Sequence, residues 1–471
     1  IGIAPFCLEL HSNKTKKTNV LEQLKRTTEV TKRKSKEEYR IEAEQINALR
    51  HELNDYVYAL HKRHKAGLSL YDCFSGYVSV DSGAALIDLP ETLLQELDEE
   101  GRITRERMVE EYSAACRICE NPKSHPLRGI DLTVSSPAVR NRAWKELTDM
   151  MCMLQTYSGL RRSVASLLGL NVDGQTRAQD KAMAEIVQIL LKARDIPTGL
   201  LALDDMTEVG ELIERAVQTG EERDRLREQL LEQFDSRILT ADVAAWEKQW
   251  IECRSKWKLP RILGQNRVRK HVQTYAKPSV QLTLDQLPEL FSRLADFQTS
   301  QHQLDELGKT LSPILGILWK DGEAEWTRVA DARVAISQVE HSLLQATRDI
   351  AMAMAAKRTL HTNLKCGLQP FRDLHADILE QFSAQTIAID EQIAKIAKLL
   401  QSPDITKADE NSIETLMDTF AEWSAHLDLL HDWTAYNRQR QELLSAGLEP
   451  VVRAFEEGRI TVCDIVNCYR K

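Results

Sequence analysis

Three short stretches carry residue types that do chemistry. "LGKT" at 307–310 has the Gly, Lys and Thr that end a phosphate-binding loop. Such a loop also needs a glycine five positions before Gly308, because backbone N–H groups must wrap the phosphates. Position 303 is Gln and the flanks are patterned as helix, so a helix interior is expected. "TIAIDEQ" at 386–392 reads as an apolar strand ending in an acidic pair that could hold magnesium. Yet Ile389, Ile393, Ile396 and Leu400 continue one helical face through it, with no turn signals at either side, so it too is expected to be helix. "CRIC" at 116–119 is a lone C-x-x-C. Tetrahedral zinc takes four ligands, and His125 is the nearest third donor, so a zinc module built on Cys116 and Cys119 is the weakest of the functional readings and helix packing the expected one.

A second kind of chemistry is suggested by charge. Arg254 to Lys277 holds eight Lys or Arg residues and His271, with no acid, in a chain of net charge −9. Within "GQNRVRKHVQTYA" Val268 and Val272 can face a core, while Arg261, Arg267, Arg269 and Lys270 are candidates for contact with nucleic-acid phosphates. The bland alternative is a solvated helix face. Trp246, Trp250 and Trp257 are spaced as one helical stripe, which predicts a packing seam rather than a base-stacking platform. Lys14 to Arg40 is a further basic run, ten Lys or Arg against four Glu. No Ser/His/Asp order, no paired carboxylates on a cleft and no Gly-rich nucleotide loop stands out, so the chain itself is expected not to be an enzyme.

The elements that must carry these residues are almost all helical. "IGIAPFCLEL" reads as a strand, and "HSNKTKK" as the polar loop after it. No Pro or Gly interrupts Thr18 to Ala66; a single helix there would span about 70 Å, so an arm or an interruption is expected. Ile46, Leu49, Leu53, Tyr56 and Leu60 give a heptad seam in it. "SHPLRGIDLTVSSP" at 124–137 is non-helical, after which Ser136 and Pro137 start a helix that Gly169 ends. Helices follow at about 176–195 and 206–219, then a pair over 222–258 broken near Thr240, a basic helix from Pro260, and one capped by Thr283 and ended by Pro313. Ile336, Val339, Leu343, Ala346 and Ile350 form a second seam, and Phe382, Ile389, Ile393, Ile396 and Leu400 a third. Joined near Gly367, they are expected to fold back antiparallel and to face each other or a shared third helix. A last long helix is expected from Asn411 to Ala446.

The predicted fold class is therefore mainly α: long antiparallel helices and coiled-coil-like hairpins, with a short N-terminal strand. The expected divisions are 1–17 (strand and loop), 18–122, 123–258, 259–322, 323–402 (helical hairpin) and 403–471. Low Gly, Pro and aromatic content fits this class. Nine cysteines without framework spacing fit a reducing cytosol, and no apolar run reaches the length of a membrane span. The chain opens at Ile1 on a strand-like run, and a piece of a larger protein is expected.

"GIAPFCLELHSNKTKKTNVLEQLKRTTEV" resembles a segment of large bacterial superfamily-one helicase-like ATPases, which often also carry an endonuclease-like domain. "HPLRGIDLTVSSP", "LPRILGQNRVRKHVQTYA", "LWKDGEAEWTRV" and "HDWTAYNRQRQELLSAGLEPVVRAFEEGRI" follow in the family's order. The resemblance implies that Phe6–Leu10 is a strand of a RecA-like α/β domain. The helical mass would then be an insertion between the phosphate-binding and magnesium-binding motifs, neither of which is present. Catalysis, ATP and magnesium would belong to the parent, with no cofactor in this chain. His11 and Ser12 would end the strand, Asn13 to Lys17 would form the crossing loop, and Lys14, Lys16 and Lys17 would meet phosphate oxygens. The implied partners are DNA or RNA and the rest of the helicase core, with no membrane, in the cytoplasm. The alternative is a structural coiled-coil protein that tethers partners without a nucleic-acid role.

Overall fold

The computed structural model describes residues 4–7, 16–30, 35–80, 87–119, 122–255, 257–320 and 324–470. The chain forms two units, one comprising residues 1–123 and 435–471 and the other residues 124–434. Among the described residues there is no strand, only the isolated backbone bridges Thr176–Ser412 and Phe234–Ala276. The helices are α1 (Lys17–Glu29), α2 (Lys36–His61), α3 (Leu70–Ser79), α4 (Glu91–Glu96), α5 (Glu99–Ile118), α6 (Pro137–Leu168), α7 (Arg177–Lys192), α8 (Thr198–Leu201), α9 (Thr207–Gln233), α10 (Val243–Arg254), α11 (Lys258–Gln273), α12 (Leu287–Leu315), α13 (Trp326–Thr347), α14 (Ile350–Asn363), α15 (Leu368–Leu400), α16 (Pro403–Thr406), α17 (Ile413–Ala425), α18 (Leu430–Ser445), α19 (Glu449–Glu456) and α20 (Ile465–Arg470). None of them is long and apolar enough to cross a membrane.

In the larger unit the long α6 and α15 pack along each other, and α17 adds to α6. α7 lies against both α13 and α15, so the second and third heptad seams meet a shared helix. Ile336, Val339, Leu343 and Ala346 are buried on α13 at spacings of three and four, and Phe382, Ile389, Ile393, Ile396 and Leu400 on α15 at spacings of seven, four, three and four. α9 packs on α12 and α13, and the α10–α11 pair packs together and on α12. The non-helical 124–136 segment is held by aromatic contacts: His125 stacks on Trp433 with centroids 4.3 Å apart, and the Trp433 indole donates to Ile130 O at 2.7 Å. In the smaller unit α5 packs on α20, and Tyr112 stacks on Tyr436.

Several local expectations are met by the caps that motivated them. The Ser136 hydroxyl accepts from Val139 N, Pro137 opens α6, and Gly169 ends it at φ 72°. Others need correction. Phe6 lies in a 3-10 turn over Ala4–Phe6, not in a strand, and residues 8–10 lie outside the described residues. α9 runs unbroken through Gly220, because that glycine is where the Trp326 indole lies against the helix. Asp242, not Thr240, caps α10, accepting from Ala245 N at 2.9 Å. Pro313 sits inside α12, which runs to Leu315. α13 stops at Thr347 because Arg348 turns left-handed at φ 55°, which leaves Ile350 exposed at the start of α14. The expected last helix is broken between α17 and α18 by a 3-10 turn at Leu427–Leu429.

Candidate nucleic-acid interface

The basic segment begins as a hairpin whose base is core and whose end is surface. Trp246 and Trp250 are buried on α10, and Gln265, Val268 and Val272 on α11. Trp246 meets Tyr275 edge-on at 5.4 Å and His271 at 5.7 Å, and Trp250 meets Phe291 at 6.2 Å. The far end of α11 is tied to the end of α9 by backbone bonds from Asp235 N to Tyr275 O and from Lys277 N to Gln233 O, both 2.9 Å. Gly264 lets α11 come so close to α10 that a Cβ there would overlap Cys253 Sγ. Past that crossing the two helices have no buried residue.

What this free end presents is apolar and cationic. Trp257 is 72% exposed and Leu263 70%, with Ile251, Leu259 and Ile262 also exposed. Arg254, Lys258 and Arg261 are exposed beside them. Along α11, Leu259, Leu263, Asn266, Arg267 and Lys270 recur at i, i+4, i+7, i+8 and i+11, so they share the face opposite Val268 and Val272. Most other arginines of the larger unit sit in ion pairs, whereas Arg254, Lys258, Arg261, Arg267 and Lys270 form none among the described residues. The acids flanking the segment in sequence are the exposed Glu252 of α10 and the exposed Asp285. Such a surface can neutralise phosphates through its cations and offer an aromatic face to an unstacked base.

The structure thus puts Arg267 and Lys270 on one outer face of α11, leaves the exposed Arg261 at the free end on the Val268 side of the helix, and sets Arg269 apart. Arg269 is partly buried and donates from Nη1 to Leu282 O at 3.2 Å, bracing the 277–283 loop rather than facing solvent. Gln273 braces the same loop through Val280 O and Leu282 N. Lys16 and Lys17 belong to the smaller unit and are exposed, Lys16 preceding α1 and Lys17 opening it, one residue earlier than expected. His11, Ser12 and Lys14 lie outside the described residues. The tryptophan stripe divides: α10 ends at Arg254, the period breaks there, and Trp257 is released while Trp246 and Trp250 stay in the core.

The remaining chemical motifs are structural where they fall. "LGKT" lies within α12, with Lys309 paired to Glu306 and Gly308 against the Trp319 indole. "TIAIDEQ" lies within α15, and Asp390 pairs with the fully buried Arg177 of α7. Cys116 is buried in α5, where burial pushes its thiol up to about 12. No group of three or more His, Cys, Asp or Glu side chains placed to hold a metal occurs among the described residues.

A polar cluster that the sequence reading missed sits at the centre of the larger unit. Arg161, 2% exposed, donates from Nε to Asp180 Oδ1 at 2.7 Å, from Nη1 to Glu414 at 3.3 Å and from Nη2 to Gln175 O at 3.2 Å. Arg177 pairs with Asp390, and Lys181 bridges Asp390 and Asp409. Burial pushes the Asp180 carboxyl up to about 6 against the pull of Arg161 and Arg177. The signal was present: Leu154, Tyr157, Arg161, Val164 and Leu168 keep one spacing, which places an arginine on a core seam. Beside it, a groove of about 900 Å³ runs along α7, lined by Lys181, Glu185, Gln188, His341, Ser383 and Asp390. Among its hydroxyls, Ser342 donates to the Glu185 carboxylate at 2.9 Å and Ser383 accepts from the Gln188 amide. The cluster pins α6, α7, α15 and α17 together.

No protein-family profile, no curated protein and no solved structure matches this chain.

Proposed function

We propose that this chain is a non-catalytic helical arm of a cytoplasmic superfamily-one helicase-like ATPase, and that it touches DNA or RNA through the free end and outer face of the α10–α11 hairpin. ATP and magnesium are handled by the parent. The observation that carries the proposal is a segment free of acids over residues 254–277, whose free end carries the exposed Trp257 with Arg254, Lys258 and Arg261 and whose outer face carries Arg267 and Lys270, none of them ion-paired among the described residues. Arg261, Arg267 and Lys270 meet phosphates, and Trp257 stacks on a base. The order of the quoted sequence stretches supports the assignment to a helicase-like parent.

The test is fluorescence anisotropy of labelled single- and double-stranded DNA and RNA across a salt titration. Changing Arg261, Arg267 and Lys270 to Ala together should lower affinity for every sequence and flatten the log–log salt slope by about 2 to 3 units. Trp257→Ala should cost roughly 1–3 kcal/mol on single strands and much less on duplex. Unchanged affinity and slope in the triple variant would refute the interface. The purified chain should show no ATP turnover with or without DNA; turnover lost on changing Lys309 or Asp390 would refute the non-catalytic assignment. The second reading, a coiled-coil tether with no nucleic-acid role, is favoured by the uncovered seam of α2.

A further inference from the structure

We propose that α2 is a homodimerisation element: the α2 helices of two copies of this chain pair in parallel and in register through the seam Ile46, Leu49, Leu53, Tyr56 and Leu60. This does not depend on the nucleic-acid proposal. The seam repeats at three and four residues, placing Ile46, Leu53 and Leu60 at one core position of the heptad and Leu49 and Tyr56 at the other. Among the described residues nothing covers it before Leu60, which is half-buried. α1, α2 and α3 contain no buried residue, and Ile46, Leu49, Leu53 and Tyr56 are each between 61% and 65% exposed. α3 reaches only the end of α2, where Tyr71 lies against His61. The helix is well begun by a full capping box, Ser35 with Glu38, so the seam is presented on a formed helix.

The area and the charges both point to a second copy. Val57, beside the seam, is also exposed. Covering it with the seam removes roughly 600 Å² per copy, about 1,200 Å² for the pair, which reaches the lower end of the range of stable specific interfaces. The positions flanking the seam are Gln45 and Glu52 on one side and Arg50 and Val57 on the other. In a parallel pair over residues 46–60 Gln45 faces the counterpart of Arg50, and Glu52 faces the counterpart of Val57, so no like charges flank that stretch. An antiparallel pair that buries the same residues sets Arg50 beside its counterpart and Glu52 beside its counterpart. Ile46 followed by Leu49 is the combination that favours two strands in a parallel coiled coil.

Sedimentation of the full chain from about 1 to 100 µM should show a monomer–dimer equilibrium. Leu53→Glu should abolish the dimer with the far-UV circular dichroism of the monomer unchanged, since the side chain is exposed on a capped helix. For orientation, the exposed Cys7, Cys73, Cys152, Cys366 and Cys463 are first replaced by Ser. In that background Ile46→Cys alone should give an oxidised dimer, because parallel pairing sets the two positions opposite each other. A monomer throughout the range overturns the proposal, including one whose seam pairs with a helix of another protein. A dimer that survives Leu53→Glu overturns it as well. A dimer that crosslinks only when Ile46→Cys and Tyr56→Cys are combined overturns the parallel arrangement.

Discussion

Replacing Arg161 with Met should destabilise the larger unit more than any surface change. The side chain is 2% exposed and makes three charge-assisted or backbone hydrogen bonds, to Asp180, Glu414 and Gln175 O. Met keeps most of the volume and removes all three. Asp180 is then left fully buried, with Oδ2 already lacking a partner and Arg177 as the nearest remaining cation. Removing one member of a buried pair costs about 3–5 kcal/mol, most of it for the orphaned charge. The double change Arg161→Met with Asp180→Leu removes both charges, and its loss should be well below the sum of the single losses. Urea unfolding followed by far-UV circular dichroism measures this. Protonation is the escape open to the orphaned Asp180, so the deficit of Arg161→Met should grow as pH rises above about 6, where the parent carboxyl has ionised and the orphaned one has not, by up to roughly 1.4 kcal/mol per unit. A single-variant loss under about 1 kcal/mol, or a double-variant loss equal to the sum, would refute the pinning role.

Three further outcomes rest on Asp180, Gly220 and Gly159. Asp180 has its folded pKa raised to about 6 from 3.8, so its protonated form favours folding: its contribution is fully present below the unfolded value and is lost as pH rises through about 6. Asp180→Asn should therefore flatten the fall in stability between those two values, as read from urea midpoints across that pH window; an unchanged slope would place the buried titration elsewhere. Gly220→Ala should destabilise by about 1–3 kcal/mol despite a helix-propensity gain of about 1, since its Cβ would overlap the buried Trp326 indole, which donates to Asp224 at 2.7 Å. Gly159→Ala, exposed within α6 with nothing near its Cβ, should stabilise by about 0.4–1 kcal/mol, and thermal midpoints of the two variants should move in opposite directions.

The mainly helical class was legible because the signals for it are local. Ser136-Pro137 and Gly169 bound α6 with chemistry confined to a few neighbouring residues, and the seams of α13 and α15 need only a period. The misread points depend on partners far along the chain. Gly220 reads as a break unless one knows that Trp326, more than a hundred residues later, lies against it. Ile350 continues its seam in sequence, and only the left-handed Arg348 removes it from the helix. At the candidate interface, composition identified the basic segment but not its division. Arg269 and Lys270 are adjacent and alike, and helical rotation turns one onto the Leu282 carbonyl and the other to water. Arg161 and Arg177 were passed over because charge was read as surface, although Arg161 keeps the spacing of its apolar neighbours.

The distribution of the eight tryptophans gives the hairpin a built-in optical probe. Trp246, Trp250, Trp319, Trp326, Trp423 and Trp433 are all at most 8% exposed, whereas Trp144 and Trp257 stand at 57% and 72%. Emission at the red edge of the intrinsic spectrum, and the fraction quenched by acrylamide, therefore come from two residues alone. Replacing Trp144 with Phe leaves that signal to Trp257, so occupancy of the hairpin end can be followed by light from the native side chain, with no dye attached and the buried six as an internal reference.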